Sequence, residues 1–298
     1  MIARGPLDAM LYDLLIAPFA DFAFMRRALA GAFALSLAGA PVGVFLILRR
    51  MSLMGDAMAH AILPGAAIGY LVSGLSLGAM TFGGMLAGFA VALASGAVAR
   101  STALREDASM AAFYLISLAL GVVIVSLRGS NLDLLHVLFG AVLALDDATL
   151  FLLASIASFT LAAFALLYRP LVMETLDAGF LRSVSPSGAF VHLAFLALLA
   201  LNLIAGFHAL GTLLAVGLTM LPAAGARLWT NDVTRMIAIA MAAGAIASLC
   251  GLLVSYHAGV PTGPAIILAA GLFYLASVVF GRSGGLMRGM GRRRHLEA

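Results

Sequence analysis

Nine apolar stretches, each close to twenty residues long, constrain the fold of this 298-residue chain more than any other feature. A helix needs roughly 20 apolar residues to cross the hydrocarbon core of a bilayer. Charged residues make up only 10% of the chain, whereas about 25% is typical of a soluble domain. The sequence therefore predicts an all-α, polytopic membrane protein. The stretches are 28–48, 53–73, 78–99, 108–127, 147–168, 188–206, 209–228, 234–256 and 263–281.

A tenth apolar segment, residues 132–145, is too short to cross and is bounded by polar residues. It predicts a re-entrant or interfacial piece, which is tolerated where protein or water satisfies its backbone. We therefore expect eight or nine transmembrane helices plus this segment. If it does not cross, the arginines after alternate stretches share one side, which the positive-inside rule makes cytoplasmic. The N-terminus is then outside, and if the segment does cross, the first half of the chain inverts.

The chain divides into three parts. Residues 1–24 place leucines at helical spacing beside aspartates, which predicts an amphipathic segment at a membrane surface. Residues 25–281 hold all the apolar stretches and predict a single transmembrane domain. Residues 282–298 form an arginine-rich tail, interpreted as a solvated cytoplasmic terminus rather than a nucleic-acid-binding arm.

The basic residues exclude one class of enzyme. All 17 are arginine, because no lysine occurs in the chain. A phosphate-binding loop needs a lysine followed by serine or threonine, so this chain does not hydrolyse ATP through its own P-loop. A Gly-x-Ser-x-Gly match at residues 74–78 lacks the strand–turn–helix context of a hydrolase. We therefore expect no catalytic residues.

Asp56 and His60 are the strongest functional signal in the sequence. Residues four apart lie on one face of a helix, and ionisable groups inside a bilayer usually mark a substrate or ion path. A helix that begins at Arg50 carries His60 roughly 15 Å inward, to about the middle of the hydrocarbon core. Carboxylate and imidazole groups are both ligands for Zn²⁺ and other divalent metals. The pair is therefore our candidate metal site.

Two ligands alone would hold an ion weakly. A symmetric dimer with the path on its two-fold axis would supply two aspartates and two histidines, close to the four ligands that zinc prefers. Such an incomplete, transient site suits transport. The alternative is a hydrogen bond between Asp56 and His60 that only locks helix packing.

Other histidines fall at the predicted outer ends of the spans. His208 and His257 follow this pattern, and Asp133 and His136 lie three apart on the short segment. We consider all four possible residues of an outer mouth that meets incoming ions. The alternative is that they are interfacial and have no role in transport.

The longest polar interruption is residues 169–187, which mixes charges of both signs with apolar side chains. A mere connector would not need apolar residues, so one interpretation is a short helix that inserts into a cytoplasmic partner. The other is an ordinary amphipathic loop. The candidate contact residues are Glu174, Asp177, Phe180, Leu181 and Arg182.

One block of sequence resembles a known family. Leu48-Arg49-Arg50-Met-Ser-Leu-Met-Gly55-Asp56-Ala-Met-Ala-His60-Ala is similar to the signature of permease subunits of bacterial zinc/manganese/iron ABC importers. Leu138-Phe139-Gly140, the block 213–227 and the block 261–266 resemble later family blocks in the same order. The resemblance covers residues 25–281. Gly259 and Ala141 depart from it, since an acidic and a polar residue are frequent there.

The resemblance implies a homodimeric permease in the bacterial cytoplasmic membrane, with 169–187 as its coupling loop. Two cytoplasmic ABC ATPase subunits would bind it and hydrolyse ATP, and an extracytoplasmic binding protein would deliver the metal. Asp56 and His60 match the family's metal path. We expect Zn²⁺ first, then Mn²⁺ or Fe²⁺, as the cargo. The alternatives are an ABC permease for an organic cargo and a proton-coupled secondary transporter.

Overall fold

The computed structural model describes residues 6–74, 76–104, 106–127, 142–177 and 188–287. Within these ranges the regular structure consists of twelve α-helices and one short 3₁₀ turn, Val142–Ala144, with no strand. The helices are α1 (Pro6–Leu15), α2 (Ala17–Asp21), α3 (Ala23–Leu48), α4 (Ser52–Ala61), α5 (Leu63–Ser73), α6 (Leu77–Ser101), α7 (Glu106–Leu127), α8 (Asp147–Leu176), α9 (Gly188–Leu210), α10 (Thr212–Arg227), α11 (Val233–Ala258) and α12 (Thr262–Phe280).

These helices confirm the all-α, polytopic prediction. In the described part of the chain, α3, α6, α8, α9, α11 and α12 are long and apolar enough to cross a bilayer. Helices α7 and α10 contain shorter apolar segments. Most of the short segment 132–145 lies outside the described residues, so its re-entrant form stays a prediction.

The second predicted stretch, 53–73, is divided into α4 and α5 at Ile62. Pro64, in the first turn of α5, has no N–H to donate to the carbonyl one turn earlier. Ser117 of α7 donates its hydroxyl to the Ala61 carbonyl at 2.9 Å. A neighbouring hydroxyl thus satisfies a backbone group at the break, as membrane interiors require.

Two ion pairs show that α3 and α8 run in the same direction. Arg27 pairs with Asp147 near the starts of these helices, and Arg49 pairs with Glu174 near their ends. Helix α7 runs parallel to α4, because Tyr114 stacks on His60 and the later Ser117 bonds the later Ala61. Helix α4 starts where α3 ends, so α7 leads away from that end of the bundle. Leu127 and Asp147 therefore lie at the same end of the bundle. The chain between them starts and finishes on one side, as the non-crossing alternative requires.

The bundle has an arginine-rich end, where α3, α6, α8, α10 and α12 finish. Helices α4, α7, α9 and α11 start there. Arginines at this end are Arg49, Arg50, Arg169, Arg227, Arg235 and Arg282. By the positive-inside rule this end faces the cytoplasm. The starts of α3 and α8 lie at the opposite, outer end.

Helix α3 lies at the centre of the bundle, with most of its length buried. It contacts α10 where Gly39 and Gly43 approach Thr219, and it contacts α11 where Ser36 approaches Gly244. A Cβ on Gly43 would collide with the Thr219 carbonyl. Small residues drive such close helix packing because lipid provides no hydrophobic force between helices.

Helix α8 extends eight residues beyond the predicted end of its apolar stretch, from 168 to Leu176, and passes through Pro170. The first part of the predicted coupling loop, 169–176, is therefore helical and continuous with a transmembrane helix. Residues 178–187 lie outside the described part of the chain. Both ends of that gap, Asp177 and Gly188, are described.

Candidate metal site

Helix α4, which carries the candidate ligands, leaves α3 through a tightly bonded turn. The Met51 N–H donates to the Leu46 carbonyl at 2.9 Å, and the Arg50 N–H donates to the Ile47 carbonyl at 3.1 Å. This is the Schellman pattern of helix C-termini. Arg50 adopts a φ of 58° at the position that usually holds glycine. The turn therefore fixes the direction in which α4 starts.

Asp56 and His60 lie on one face of α4, as the sequence predicts. The His60 Nε2 is 3.8 Å from the Asp56 Oδ1, which is too long for a hydrogen bond. The Asp56 side chain is 65% exposed and the His60 side chain is 26% exposed on the protomer. The locking hydrogen bond considered from the sequence is therefore not formed in this structure.

The opposite face of α4 is packed into the bundle. Met54, Ala57, Met58 and Ala61 are all buried, and Met58 contributes to a core cluster with residues of α3 and α9. Because that face is fixed, the Asp56 carboxylate is held at the surface of the protomer. No group of three histidine, cysteine, aspartate or glutamate side chains forms a metal cluster in the described ranges. Among the described residues, one protomer therefore supplies these two ligands and no third ligand beside them.

Tyr114 of α7 stacks on the His60 ring, with centroids 6.1 Å apart and planes 29° apart. It packs against the core cluster as a partly buried residue. The stack limits the directions in which the imidazole can turn. Sequence reasoning missed this residue, because 54 positions separate it from His60 and no local pattern joins them.

Of the four predicted outer-mouth residues, His257 is the one whose side chain the structure describes. The His257 Nε2–H donates to the Leu14 carbonyl at 3.0 Å, which joins the outer end of α11 to the N-terminal segment. His208 lies near the end of α9, and its side chain is outside the described set. Asp133 and His136 also fall outside the described residues. Their role at an outer mouth stays a prediction.

Of the predicted coupling residues, the structure describes Glu174 and Asp177. Glu174 is turned inward, with its side chain 10% exposed and paired with Arg49. Asp177 is the exposed C-cap residue of α8. Phe180, Leu181 and Arg182 lie outside the described residues. Contact between this segment and a partner therefore stays a prediction.

The sequence and fold can be compared with known proteins. The family model of the ABC 3 transport family matches residues 21–281. The chain belongs to the ABC 3 transport family. The resemblance seen in the Asp56 and His60 block is thus confirmed, and it holds for nearly the whole membrane domain.

Relatives in this family are similar along most of the chain. The manganese import system permease protein ScaB of Streptococcus parasanguinis is 32% identical over 258 residues, which are 86% of this chain and 90% of that protein. The chelated iron transport system membrane protein YfeD of Yersinia pestis is 30% identical over 271 residues, or 91% and 90%. PsaBC from Streptococcus pneumoniae in complex with Fab matches with a TM-score of 0.81 at 30% identity, covering 93% of this chain and 100% of that one.

Membership of the family confirms two expectations from the sequence. The chain is a transport subunit and not an enzyme, since ATP is hydrolysed by a separate chain in such systems. It is a multi-pass protein of the bacterial cytoplasmic membrane. The absence of lysine, which excludes a P-loop, agrees with this division of labour.

Proposed function

We propose that this chain is the permease subunit of an ABC importer that moves a divalent first-row metal ion into the cytoplasm. Asp56 and His60 contact the ion during its passage. ATP hydrolysis on two cytoplasmic ATPase subunits drives the movement, and an extracytoplasmic metal-binding protein delivers the ion. Residues 25–281 form the permease domain, between an amphipathic N-terminal segment and a cytoplasmic tail.

The observation that carries this proposal is the exposure of the pair. A carboxylate that faced acyl chains near the middle of a bilayer would be expensive, yet the Asp56 side chain is 65% exposed on the protomer. Another polar surface or water must therefore cover it in the membrane. A corridor that admits hydrated or partly hydrated cations meets this requirement.

A second copy of the chain is the covering surface that we favour. Two protomers related by a two-fold axis beside α4 would bring two Asp56 and two His60 side chains together. Four ligands are enough for a transient shell, while one protomer supplies two. Chemical cross-linking of the purified chain in lipid nanodiscs should give a dimer.

Manganese is the cargo that we rank first, iron second and zinc third. ScaB is named for manganese import and YfeD for chelated iron transport, and both are at least 30% identical to this chain. Carboxylate ligands suit Mn²⁺, and imidazole also binds iron and zinc. The expectation from the sequence placed zinc first, and the relatives supply the reason for the new order.

Metal uptake by proteoliposomes tests the proposal. The reconstituted complex should accumulate ⁵⁴Mn²⁺ only when ATP, the ATPase subunits and the binding protein are present. Asp56→Ala and His60→Ala should each abolish uptake while the ATPase subunits still copurify, because the buried face of α4 holds the helix in the bundle and His60 adds only its stack on Tyr114. When each ion is supplied alone, accumulation of Mn²⁺ should exceed that of Fe²⁺, and accumulation of Fe²⁺ should exceed that of Zn²⁺.

Asp147→Asn is the matched control, because it removes an exposed carboxylate far from α4. It should transport at the wild-type rate. Wild-type uptake in both alanine variants would refute the role of the pair. Uptake without any ATPase subunit would instead favour a proton-coupled exchanger, and ATP-driven uptake of an organic chelate but not of the free ion would favour an organic-cargo permease.

A further inference from the structure

A second charged cluster lies seven residues before Asp56, at the arginine-rich end. The Arg49 Nη2 donates to the Glu174 Oε2 at 2.8 Å, and the Arg49 Nε donates to the Thr175 hydroxyl at 3.2 Å. The His192 Nδ1 lies 3.3 Å from the Glu174 Oε1 and 3.5 Å from the Arg49 Nη1. The Arg49 guanidinium also lies over the Phe195 ring, 4.4 Å from its centroid. We call these five residues the Arg49 cluster.

The Arg49 cluster is buried although it is built from charged groups. The Arg49 side chain is 7% exposed, and that of Glu174 is 10% exposed. Burying an ion pair brings a desolvation penalty that its attraction often fails to repay, so such a pair is weak evidence for a purely stabilising role. Its directional bonds, in contrast, define one arrangement of the helices that meet there.

The Arg49 cluster joins the two helices, α8 and α9, between which residues 178–187 lie. Glu174 and Thr175 lie in the last turn of α8, which ends at Leu176. His192 and Phe195 lie in the first two turns of α9, which starts at Gly188. Arg49 is the one residue of the cluster that lies outside these two helices, and it bonds or contacts both of them. A displacement of either helix end therefore acts on Arg49.

Arg49 is also rigidly joined to the metal site. It is the C-cap residue of α3, and the two backbone hydrogen bonds of the Schellman turn connect it to Met51 and the start of α4. Helix α4 is only ten residues long and ends at the break before Pro64. Because the turn holds α4 at a fixed direction relative to Arg49, a displacement of Arg49 moves α4 and, with it, Asp56 and His60.

We propose that Arg49 is a positioning residue that transmits movement of the end of α8 and the start of α9 to the helix that carries Asp56 and His60. This inference rests on the proposed function and on the predicted contact of the 169–187 loop with the ATPase subunits. It adds a route, through the side chain of Arg49, by which the state of the ATPases sets the position of the ligands. In this proposal Glu174 contributes to coupling inside the permease, through its ion pair with Arg49.

The test measures the number of Mn²⁺ ions transported per ATP hydrolysed in proteoliposomes that contain the permease, its ATPase subunits and the binding protein. Glu174→Gln keeps the shape of the side chain and removes its charge. We expect this ratio to fall several-fold, because the amide oxygen of glutamine can still accept from Arg49 but the bond loses its charge assistance. ATP hydrolysis should continue, because the ATPase subunits still bind.

The ion pair of Arg27 and Asp147 provides the matched control. It joins the same two helices, α3 and α8, at the opposite end of the bundle, and its atoms are 2.7 Å apart. Asp147→Asn should leave the ratio unchanged. A variant that is only destabilised would yield less complex and lower transport and hydrolysis together, again with an unchanged ratio.

Thr175→Val supplies a milder change that keeps the ion pair and so should preserve assembly if Glu174→Gln does not. It should lower the ratio by a smaller factor than Glu174→Gln. Wild-type ratios in the assembled variants would overturn the transmission role of Arg49. Failure of the wild-type complex to transport Mn²⁺ at all would instead count against the proposed function, so the two failures are distinguishable.

Discussion

Two charged pairs at the start of the second predicted stretch differ in almost every physical respect. Arg49 and Glu174 are buried, 2.8 Å apart and hydrogen-bonded. Asp56 and His60 are more exposed, 3.8 Å apart and not bonded to each other. Seven residues separate Arg49 from Asp56. One pair joins α3 to α8, while the other lies on a single short helix.

The difference separates polar groups that hold helices together from polar groups that bind a cargo. Groups that hold the helices together have their bonding capacity filled within the chain, as the low dielectric of the interior demands. Groups that receive a cargo must keep bonding capacity for it. A site that was already satisfied would gain too little by exchanging an ion's hydration shell for protein ligands. The same cost of desolvation therefore favours opposite geometries at the two pairs.

The largest stability effect should come from breaking the buried pair on one side. Arg49→Met leaves the Glu174 carboxylate in a buried position without its main cation, which typically costs about 3–5 kcal/mol. Denaturant titration in mixed micelles measures the change in the free energy of unfolding. Asp56→Asn, in the exposed pair, should change it by only about 0.5 kcal/mol or less.

The double variant Arg49→Met with Glu174→Leu sharpens this comparison. Removing both charges replaces the ion pair by apolar groups, which is often close to neutral. We expect the double variant to be more stable than Arg49→Met alone. If it is equally unstable, the loss arises from the packing of Arg49 on Phe195 and not from the unpaired carboxylate.

The sequence predicted the parts of this structure that local patterns determine. The stretches 78–99 and 263–281 match α6 and α12 within two residues, because the thickness of the bilayer fixes the apolar length. The nearness of Asp56 to His60 follows from helical periodicity alone. Both predictions needed no knowledge of how helices meet.

Contacts between distant positions were beyond such reasoning. Arg49 and Glu174 are 125 residues apart, and nothing near either residue specifies the other. The predicted apolar stretch 147–168 also ended too early, because α8 continues to Leu176. Backbone hydrogen bonding can carry a helix beyond the hydrocarbon region into polar residues, so hydropathy locates the membrane boundary and not the end of the helix.

A smaller effect is expected at the contact between His60 and Tyr114. An aromatic pair contributes about 0.5–1.5 kcal/mol beyond its buried area, which corresponds to roughly 2- to 12-fold in an equilibrium constant. Tyr114→Leu should raise the apparent KM for Mn²⁺ transport by such a factor, because the imidazole is no longer held for binding. Initial rates of ⁵⁴Mn²⁺ uptake over a range of concentrations measure it.

Tyr114→Phe is the control for this contact, since it keeps the ring and removes only the hydroxyl. It should transport with the wild-type KM. Equal KM values in the leucine and phenylalanine variants would mean that the stack does not orient His60. The exposed pair would then differ from the buried one even more, because no neighbouring residue would position its ligands.

The smallest effect should appear at the outer end, where Arg27 and Asp147 form an ion pair with side chains 40% and 80% exposed. A double-mutant cycle with Arg27→Gln and Asp147→Asn should give a coupling energy of roughly 0–1 kcal/mol. Raising the salt concentration should reduce it further, because exposed charges are screened. This pair joins the same helices as Arg49 and Glu174, so the contrast isolates burial as the variable. A large, salt-independent coupling at the outer end would show that connecting α3 to α8, and not excluding water, makes the Arg49 pair important.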